Sequence, residues 1–483
     1  MTATIALSAG LVIEGNLIES ASGGFFEHVN PATGRVQQAI PLAGISEVDA
    51  AVASAKRAFD AWRGWNPDRR RTVLMRLAEL IRREADYFVT VNAVETGTPV
   101  AQQRPRILDI AARFDYYAGW IDKLCGDTIP LNPGLMDYTL LEPVGVVAKV
   151  LTWNTPMGGI GTGVAPALAA GCCVVIKPPE LAPFASVRFG QLCLEAGLPP
   201  GVVNVVPGGP EAGHALVSHP DIDKISFTGG PATAAKIQAA AALSLTPLLL
   251  ELGGKSASLV FPDADLDGVV AFQKMLTSIN GQGCTLPSRL LVHRDVYDDV
   301  CGRIVSAFSQ VRVGDPLLDE TEMGPVISAE ALKRIEGMIE RAKQQGGRLL
   351  TGGTRLGGEL SEGYFLPLTV FADVDPTSEI AQSEVFGPVL SIIPFETESR
   401  AVEIANGTVY GLAAYVHTLD INRALRLSSA LVAGNIGING HGAPAGYRAP
   451  FGGVKDSGYG REGGREGIME FLTVKNVAIA LSS

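Results

Sequence analysis

Residues 144–180 read VGVVAKVLTWNTPMGGIGTGVAPALAAGCCVVIKPPE, and this stretch decides the fold. Val144–Leu151 is a β-branched run of strand length. Pro156–Ala170 is small and apolar throughout, which predicts a closely packed helix. Val174–Lys177 is a second short strand, halted at Pro178-Pro179 because proline has no N–H for a ladder. Strand, helix and strand at a pitch of ~30 residues make the unit of a parallel sheet. Downstream, Ala185–Ala196 reads as a helix, Val202–Val206 as a strand ending in Pro207-Gly208-Gly209, and Lys224–Phe227 as a strand ending in Thr228-Gly229-Gly230. Thr233–Ala242 then reads as a helix and Pro247–Leu250 as a strand. The prediction is an α/β chain with a doubly wound, Rossmann-like sheet.

A second α/β block follows. Asp265–Asn280, Val296–Val311 and Ala329–Gln345 read as helices, and Arg289–His293, Val389–Pro394, Ala413–His417 and Gly434–Gly437 as strands. Upstream, after a short strand-rich start, residues 46–64 form an amphipathic helix with Ser46 as N-cap. Pro67 to Thr96 and Gln102 to Leu124 continue the helical pattern. Residues 138–142 and 470–481 are β-prone pieces outside both blocks, and the terminal one is an edge that invites pairing with a partner subunit.

The chain has 483 residues, which predicts two or three domains with ample core. With 47% hydrophobic and 18% charged residues it reads as globular, and a net charge of −11 argues against a nucleic-acid surface. No apolar run reaches the ~18 residues of a membrane helix, and Met1 to Leu7 has no basic n-region. The six cysteines show neither paired nor metal-ligand spacing, so reduced thiols in a cytoplasm are expected and no metal site.

Asn280-Gly281-Gln282-Gly283-Cys284-Thr285 sets a thiol on a loop loosened by two glycines. Most free cysteines are small core hydrophobes, a reading that suits Cys172, Cys173 and Cys193; Cys125 and Cys301 carry no motif. Cys284 differs in its glycines and its polar neighbours, the setting of a reachable nucleophile. Glu251 ends an apolar run and precedes Leu252-Gly253-Gly254-Lys255. A partly desolvated carboxylate has a raised pKa and is a better base; the plain alternative is a loop glutamate capping a turn. Asn154, beyond the Val144–Leu151 strand, reads as an oxyanion donor, a helix N-cap, or both. Lys177 and Glu180 read as ribose ligands or a surface ion pair; the carboxylate favours NAD, while Lys177 leaves NADP open. Phe227-Thr228-Gly229-Gly230 enters a helix with N–H groups free for a pyrophosphate, although it is not GxGxxG. Glu384 and Phe386 suit a second ribose and a ring face, or a plain loop before a strand.

Jointly these segments resemble the aldehyde dehydrogenase superfamily over nearly the whole chain. The resemblance runs in order through Asn30-Pro31-Ala32-Thr33-Gly34, Glu142-Pro143-Val144-Gly145-Val146, Trp153-Asn154, Lys177-Pro178-Pro179-Glu180, Phe227-Thr228-Gly229, Glu251-Leu252-Gly253-Gly254-Lys255, Gly281-Gln282-Gly283-Cys284, Glu384-Val385-Phe386-Gly387-Pro388 and Pro450-Phe451-Gly452-Gly453. It implies an NAD(P)-dependent, hydrolytic enzyme. Cys284 attacks the aldehyde, Asn154 and the Cys284 N–H hold the oxyanion, and Glu251 activates the water that hydrolyses the thioester. Trp153, Lys177, Glu180, Gly209, Phe227, Thr228, Gly229, Gly230, Leu252, Gly253, Glu384 and Phe386 are the implied cofactor residues. The implied organisation is a cofactor-binding domain at 1–126 and 146–254, a catalytic α/β domain at 255–465, and a β oligomerisation arm at 127–145 and 466–483 that builds a homodimer or homotetramer.

The chain departs from this pattern. Gly230 stands where many members carry Ser, Ala234 where many carry Gly, and Thr155 replaces a common aromatic. Gly158, Gly159, Thr162 and Gly163 lie on a helix that is usually bulkier, with Lys common at the last position. A wide substrate tunnel is therefore expected, lined by these residues with Thr155, Gly283, Thr285, Tyr447 and Phe451. That favours a bulky aldehyde, aromatic or terpenoid-like, over a small aliphatic aldehyde or a semialdehyde. No arginine-rich loop argues for a carboxylated substrate, though Arg448 leaves it open. A CoA-acylating relative generally lacks the base at the Glu251 position, and the intact Cys284, Glu251 and Asn154 argue against a catalytically silent one.

Overall fold

The computed structural model describes residues 6–440, 442 and 446–481. The start of the N-terminal stretch (1–5) and the end of the expected arm (482–483) lie outside the described residues. The chain opens with strands β1 (Leu11–Ile13), β2 (Asn16–Ile18), β3 (Phe25–Asn30) and β4 (Arg35–Pro41). Four helices follow: α1 (Ile45–Arg63), α2 (Pro67–Arg83), α3 (Ala85–Thr96) and α4 (Val100–Ala118). The cap of α1 is Gly44, not Ser46: Glu47 reaches back to the Gly44 N–H at 2.8 Å and also binds Ser22. Ser46 lies inside the helix. Pro67 to Thr96 is two helices, because the chain turns at Glu84.

Strands β5 (Thr128–Ile129) and β6 (Leu135–Pro143) come next, and then the strand that the opening stretch predicts, β7 (Val146–Val150). The small-residue helix forms as α5 (Pro156–Gly159), a π-helical turn at Ile160–Val164, and α6 (Ala165–Ala170). The alternation continues through β8 (Cys173–Lys177), α7 (Phe184–Ala196), β9 (Val203–Val205), α8 (Pro210–Val217), β10 (Lys224–Thr228), α9 (Pro231–Ala241) and β11 (Leu248–Glu251). Five parallel strands in the order β9-β8-β7-β10-β11 form the centre of an eight-stranded sheet. From β7 the chain builds outward through β8 and β9, then returns to β10 on the other side. The reversal creates a crevice between the carboxyl ends of β7 and β10, where ligands bind in open α/β sheets. Each of β7 and β8 is buried along its whole length, as a sheet covered on both faces requires.

The second sheet begins with β12 (Ala257–Val260), a strand the sequence reading passed over, and β13 (Arg289–His293). Its seven strands include the parallel pairs between Ala257–Val260 and Ala413–His417 and between Arg289–His293 and Val389–Phe395. The expected helix at Asp265–Asn280 is regular only over Leu266–Gln273. Beyond it Ile279 and Asn280 turn left-handed (φ 51° and 56°) to deliver the Cys284 loop. Residues 458–459 pair with β11 in the first sheet, although the sequence division groups them with the second block. The third sheet joins Leu472–Ala480 to β6 along nine residue pairs. One edge of the terminal strand is thus taken by its own chain, and Leu472–Ala480 forms the outer strand of that sheet.

Candidate active site

The carboxyl ends of the first sheet and the Cys284 loop enclose one cavity of about 510 Å³. β7 ends before Asn154, β10 ends at Thr228 and β11 at Glu251; the register places Thr228 directly beside Glu251. Asn154, Thr228, Glu251 and Cys284 all line the cavity.

Glycines permit this closeness. A Cβ on Gly254 would stand 2.3 Å from the Cys284 carbonyl, and one on Gly253 at 2.3 Å from the Glu384 carboxylate. Gly281 has φ +77°, and a Cβ there would stand 2.3 Å from the Pro388 nitrogen. The loops carrying Glu251, Cys284 and Glu384 therefore meet backbone against backbone. Two polar side chains the sequence reading left unassigned hold the Cys284 loop. Asn280 donates to Gly97 and Pro325 carbonyls and accepts from Gly324 N–H, while Gln282 accepts from Ile327 N–H at 2.9 Å. The signal was their sequence adjacency to Cys284; their partners lie tens of residues away or more.

The electrostatics disfavour anions. Burial pushes the Cys284 thiol up to about 12, with the carboxylates of Glu384 and Glu251 adding to the effect. Glu251 is 4% exposed, and neither carboxyl oxygen has a hydrogen-bond partner among the described residues. Burial holds its pKa well above the carboxylate range; Glu462 reinforces this, and Lys149 and Arg461 oppose it. Asn154 donates through Nδ2 to the Gln282 carbonyl at 2.8 Å, which leaves its second N–H unassigned, and its Oδ1 is buried without a partner.

Lys149 was missed by sequence reasoning. It lies in the middle of β7, fully buried, and donates to Ser226 Oγ at 3.0 Å and Glu462 Oε1 at 3.1 Å. Its stem fills the space over Gly163, where a Cβ would stand 2.7 Å from Cε and 2.8 Å from Nζ. Gly163 therefore faces Lys149 and does not line the cavity, against the tunnel expectation. A lysine in an otherwise apolar buried strand is the signal that could have found it.

Thr155, Gly158, Gly159 and Thr162 line the cavity, as do Gly283, Thr285, Tyr447 and Phe451. The wall also includes α4, from which the sequence reading drew no site residue.

The expected cofactor residues fall into two groups outside this cavity, Thr228 excepted. Lys177 is buried at the end of β8 and hydrogen-bonds the Gly208 carbonyl; burial draws its pKa down to about 8, and Glu180 opposes the fall. Gly209 and Gly230 precede α8 and α9, and nothing stands within 4 Å of a Cβ at either. Phe227 and Leu252 point into the core, so only their backbones can face a ligand. The Phe227 ring also underlies Gly229, at 2.4 Å from a Cβ there. In the second group, Glu384 accepts from Gly254 N–H at 2.9 Å, and burial raises its pKa to about 7. Phe386 packs edge-on against Trp153 with ring centroids 5.3 Å apart.

The model of the aldehyde dehydrogenase family matches residues 17–477. The chain belongs to the aldehyde dehydrogenase family. It is 39% identical to an aldehyde dehydrogenase of Emericella nidulans over 97% of this chain and 94% of that protein. It is 40% identical to the peroxisomal aminoaldehyde dehydrogenase 1 of Pisum sativum, covering 93% and 91%. Betaine aldehyde dehydrogenase from Staphylococcus aureus, solved in complex with NAD+, superposes with a TM-score of 0.96 at 34% identity, covering 99% and 95%. This aldehyde dehydrogenase thus shares its Rossmann-like and catalytic α/β architecture with NAD-bound relatives. Among the described residues no group of three or more His, Cys, Asp or Glu side chains is arranged to hold a metal ion. No described helix is long and apolar enough to cross a membrane.

Proposed function

We propose that this aldehyde dehydrogenase converts its substrate to the carboxylic acid through a thioester on Cys284, with NAD as cofactor. One observation carries the reading. A cysteine thiol, an unpartnered buried carboxyl and a buried amide line the same cavity at the reversal point of the first sheet. Cys284 Sγ adds to the aldehyde carbon as its proton leaves. The second Asn154 N–H and the Cys284 N–H donate to the oxygen that becomes anionic. The oxyanion collapses to the thioester carbonyl as hydride leaves the former aldehyde carbon, and NAD, when bound, would supply the acceptor. Glu251 then takes a proton from water, the water oxygen attacks the thioester, and the Cys284 S–C bond breaks.

The chain's residues fit NAD: Gly209 and Gly230 leave space before two helix N-termini, and Lys177 and Glu180 flank the end of β8. Glu180 favours NAD over NADP, because its charge opposes a 2′-phosphate. Steady-state kcat/KM with each cofactor tests this, and equal values would reject it. Glu384, Phe386 and Trp153 serve the nicotinamide side.

The substrate we propose is a bulky aldehyde, aromatic or terpenoid-like. A cavity of about 510 Å³, with glycine or threonine at Thr155, Gly158, Gly159 and Thr162, supports this choice. A kcat/KM that favours acetaldehyde over benzaldehyde and longer aldehydes would reject it. The proposed division is a cofactor domain at 1–126 and 146–254, a catalytic domain at 255–465, and an arm at 127–145 and 466–483. The outer edge of the terminal strand, with Val474 and Ile479 exposed, supports assembly into a homodimer or homotetramer. The six unpaired cysteines suit the reducing cytoplasm.

A further inference from the structure

Helix α4 presents a face to the cavity at Gln103, Arg106, Ile107, Ile110 and Arg113, the i, i+3, i+4, i+7 spacing of one helical side. Two of these side chains have no polar partner among the described residues. Gln103 is 6% exposed, and its carboxamide makes no hydrogen bond among the described residues. Arg106 is half-buried, with neither an ion pair nor a hydrogen bond among the described residues. Arg113, by contrast, is satisfied: it donates to Asp109 at 2.8 Å and lies over the Tyr447 ring. Sixteen other described arginines besides Arg113 form ion pairs with carboxylates, and Arg106 forms none.

We propose that Gln103 and Arg106 form a carboxylate subsite in the substrate cavity, so that the preferred aldehyde carries a distal carboxylate on its bulky body. This rests on the proposed reading of Cys284 as the nucleophile in that cavity. The chemistry is specific. A guanidinium offers two parallel donors to a planar carboxylate, and an amide N–H one helical turn away adds a third. Burial draws the guanidinium's pKa down and no neighbouring carboxylate offsets this, so a substrate anion would relieve that cost. The surrounding charges allow one negative charge and no more. Asp109 is paired with Arg113 and Glu462 with Lys149, and burial raises the proton affinity of Glu251, which leaves Arg106 as the cation of the wall with no carboxylate partner among the described residues. A phosphate dianion would leave a negative charge unmatched beside Asp109. Arg448, the arginine that the sequence singled out, is exposed, lies over the Tyr447 ring and does not line the cavity.

The test pairs charged and neutral aldehydes of equal bulk: 4-carboxybenzaldehyde with methyl 4-formylbenzoate, and ω-carboxy aldehydes of increasing chain length with their methyl esters. Each is run with the intact enzyme and NAD. The carboxylates should be preferred in kcat/KM by roughly tenfold or more, the worth of a desolvated charge-assisted contact, with the difference mainly in KM. Arg106→Leu should erase that preference while leaving the neutral esters within about threefold, Arg106→Lys should restore part of it, and Gln103→Leu should reduce it less. Loss of the charged and neutral substrates in equal measure, or no charged member outperforming its ester, overturns the subsite. Oxidation of the esters in that last case leaves the Cys284 reading standing. Failure of every aldehyde to yield NADH would instead break the reading on which the subsite rests.

Discussion

Cys284 and the neighbouring pair Cys172–Cys173 share a chemistry and differ in place. Burial pushes all three thiols up, Cys172 and Cys284 both to about 12 and Cys173 further. Proton affinity alone therefore does not separate a nucleophile from a core thiol. Cys172 and Cys173 open the innermost region of the first sheet, closed in by its apolar core. Cys284 stands on a glycine loop at a cavity wall, with the Glu251 carboxyl and the Asn154 amide on the same wall. What separates Cys284 from the core pair is reach and neighbours, the two things a nucleophilic thiol needs.

The largest break in this comparison is Cys284→Ala, expected to abolish aldehyde oxidation while NAD binding, read by tryptophan fluorescence, is kept. Retained turnover would remove Cys284 from the mechanism. Next is Glu251→Gln. A burst of NADH equal to the enzyme concentration should precede a steady state slowed by roughly 10²-fold or more, the scale of a lost general base. The same variant removes one anion source beside the thiol. Cys284 alkylation by iodoacetamide, which rises with pH as the thiolate forms, should then shift to lower pH. Glu251 also has a sign to check in stability. Its folded pKa lies above the unfolded value, so its contribution is full below about 4.5 and falls as pH rises toward the folded pKa. The Tm advantage of Glu251→Gln over wild type should therefore grow with pH over that window; a flat difference would mean the carboxyl is not desolvated.

A smaller effect is expected at Lys149, whose charge opposes the upward shift of Glu251. Lys149→Met should move the pH dependence of steady-state turnover upward and lower turnover at neutral pH, because less of the Glu251 carboxyl is then deprotonated. Gly163→Ala, which puts a methyl against the Lys149 stem, should move it in the same direction but less. The smallest effect on activity belongs to the contrasting pair. Cys172→Ala should leave kcat/KM within about twofold and lower stability by ~1–2 kcal/mol through the small cavity it leaves. A tenfold loss of activity would show that the core pair feeds the site.

Much of this was legible in residues 144–180, because a buried parallel strand must be apolar along its length and proline must end it. The Cys284 and Glu251 loops were legible because close backbone approach demands glycine. Ala257–Val260 was missed because its sequence, Ala-Ser-Leu-Val, holds only one β-branched residue. The roles of α4 and Lys149 were missed for another reason. Periodicity shows which face of a helix is apolar or polar, but not whether that face meets core, solvent or a cavity. Lys149 and Gly163 share a space, and Gln103 and Arg106 share a cavity with Cys284, only after the sheet has reversed its order. The sequence by itself thus determined the parallel strands of the first sheet, the glycine loops and the family, because these depend on local backbone demands. Tertiary structure alone decided which charges lack a partner, because a partner is a matter of distance across the fold.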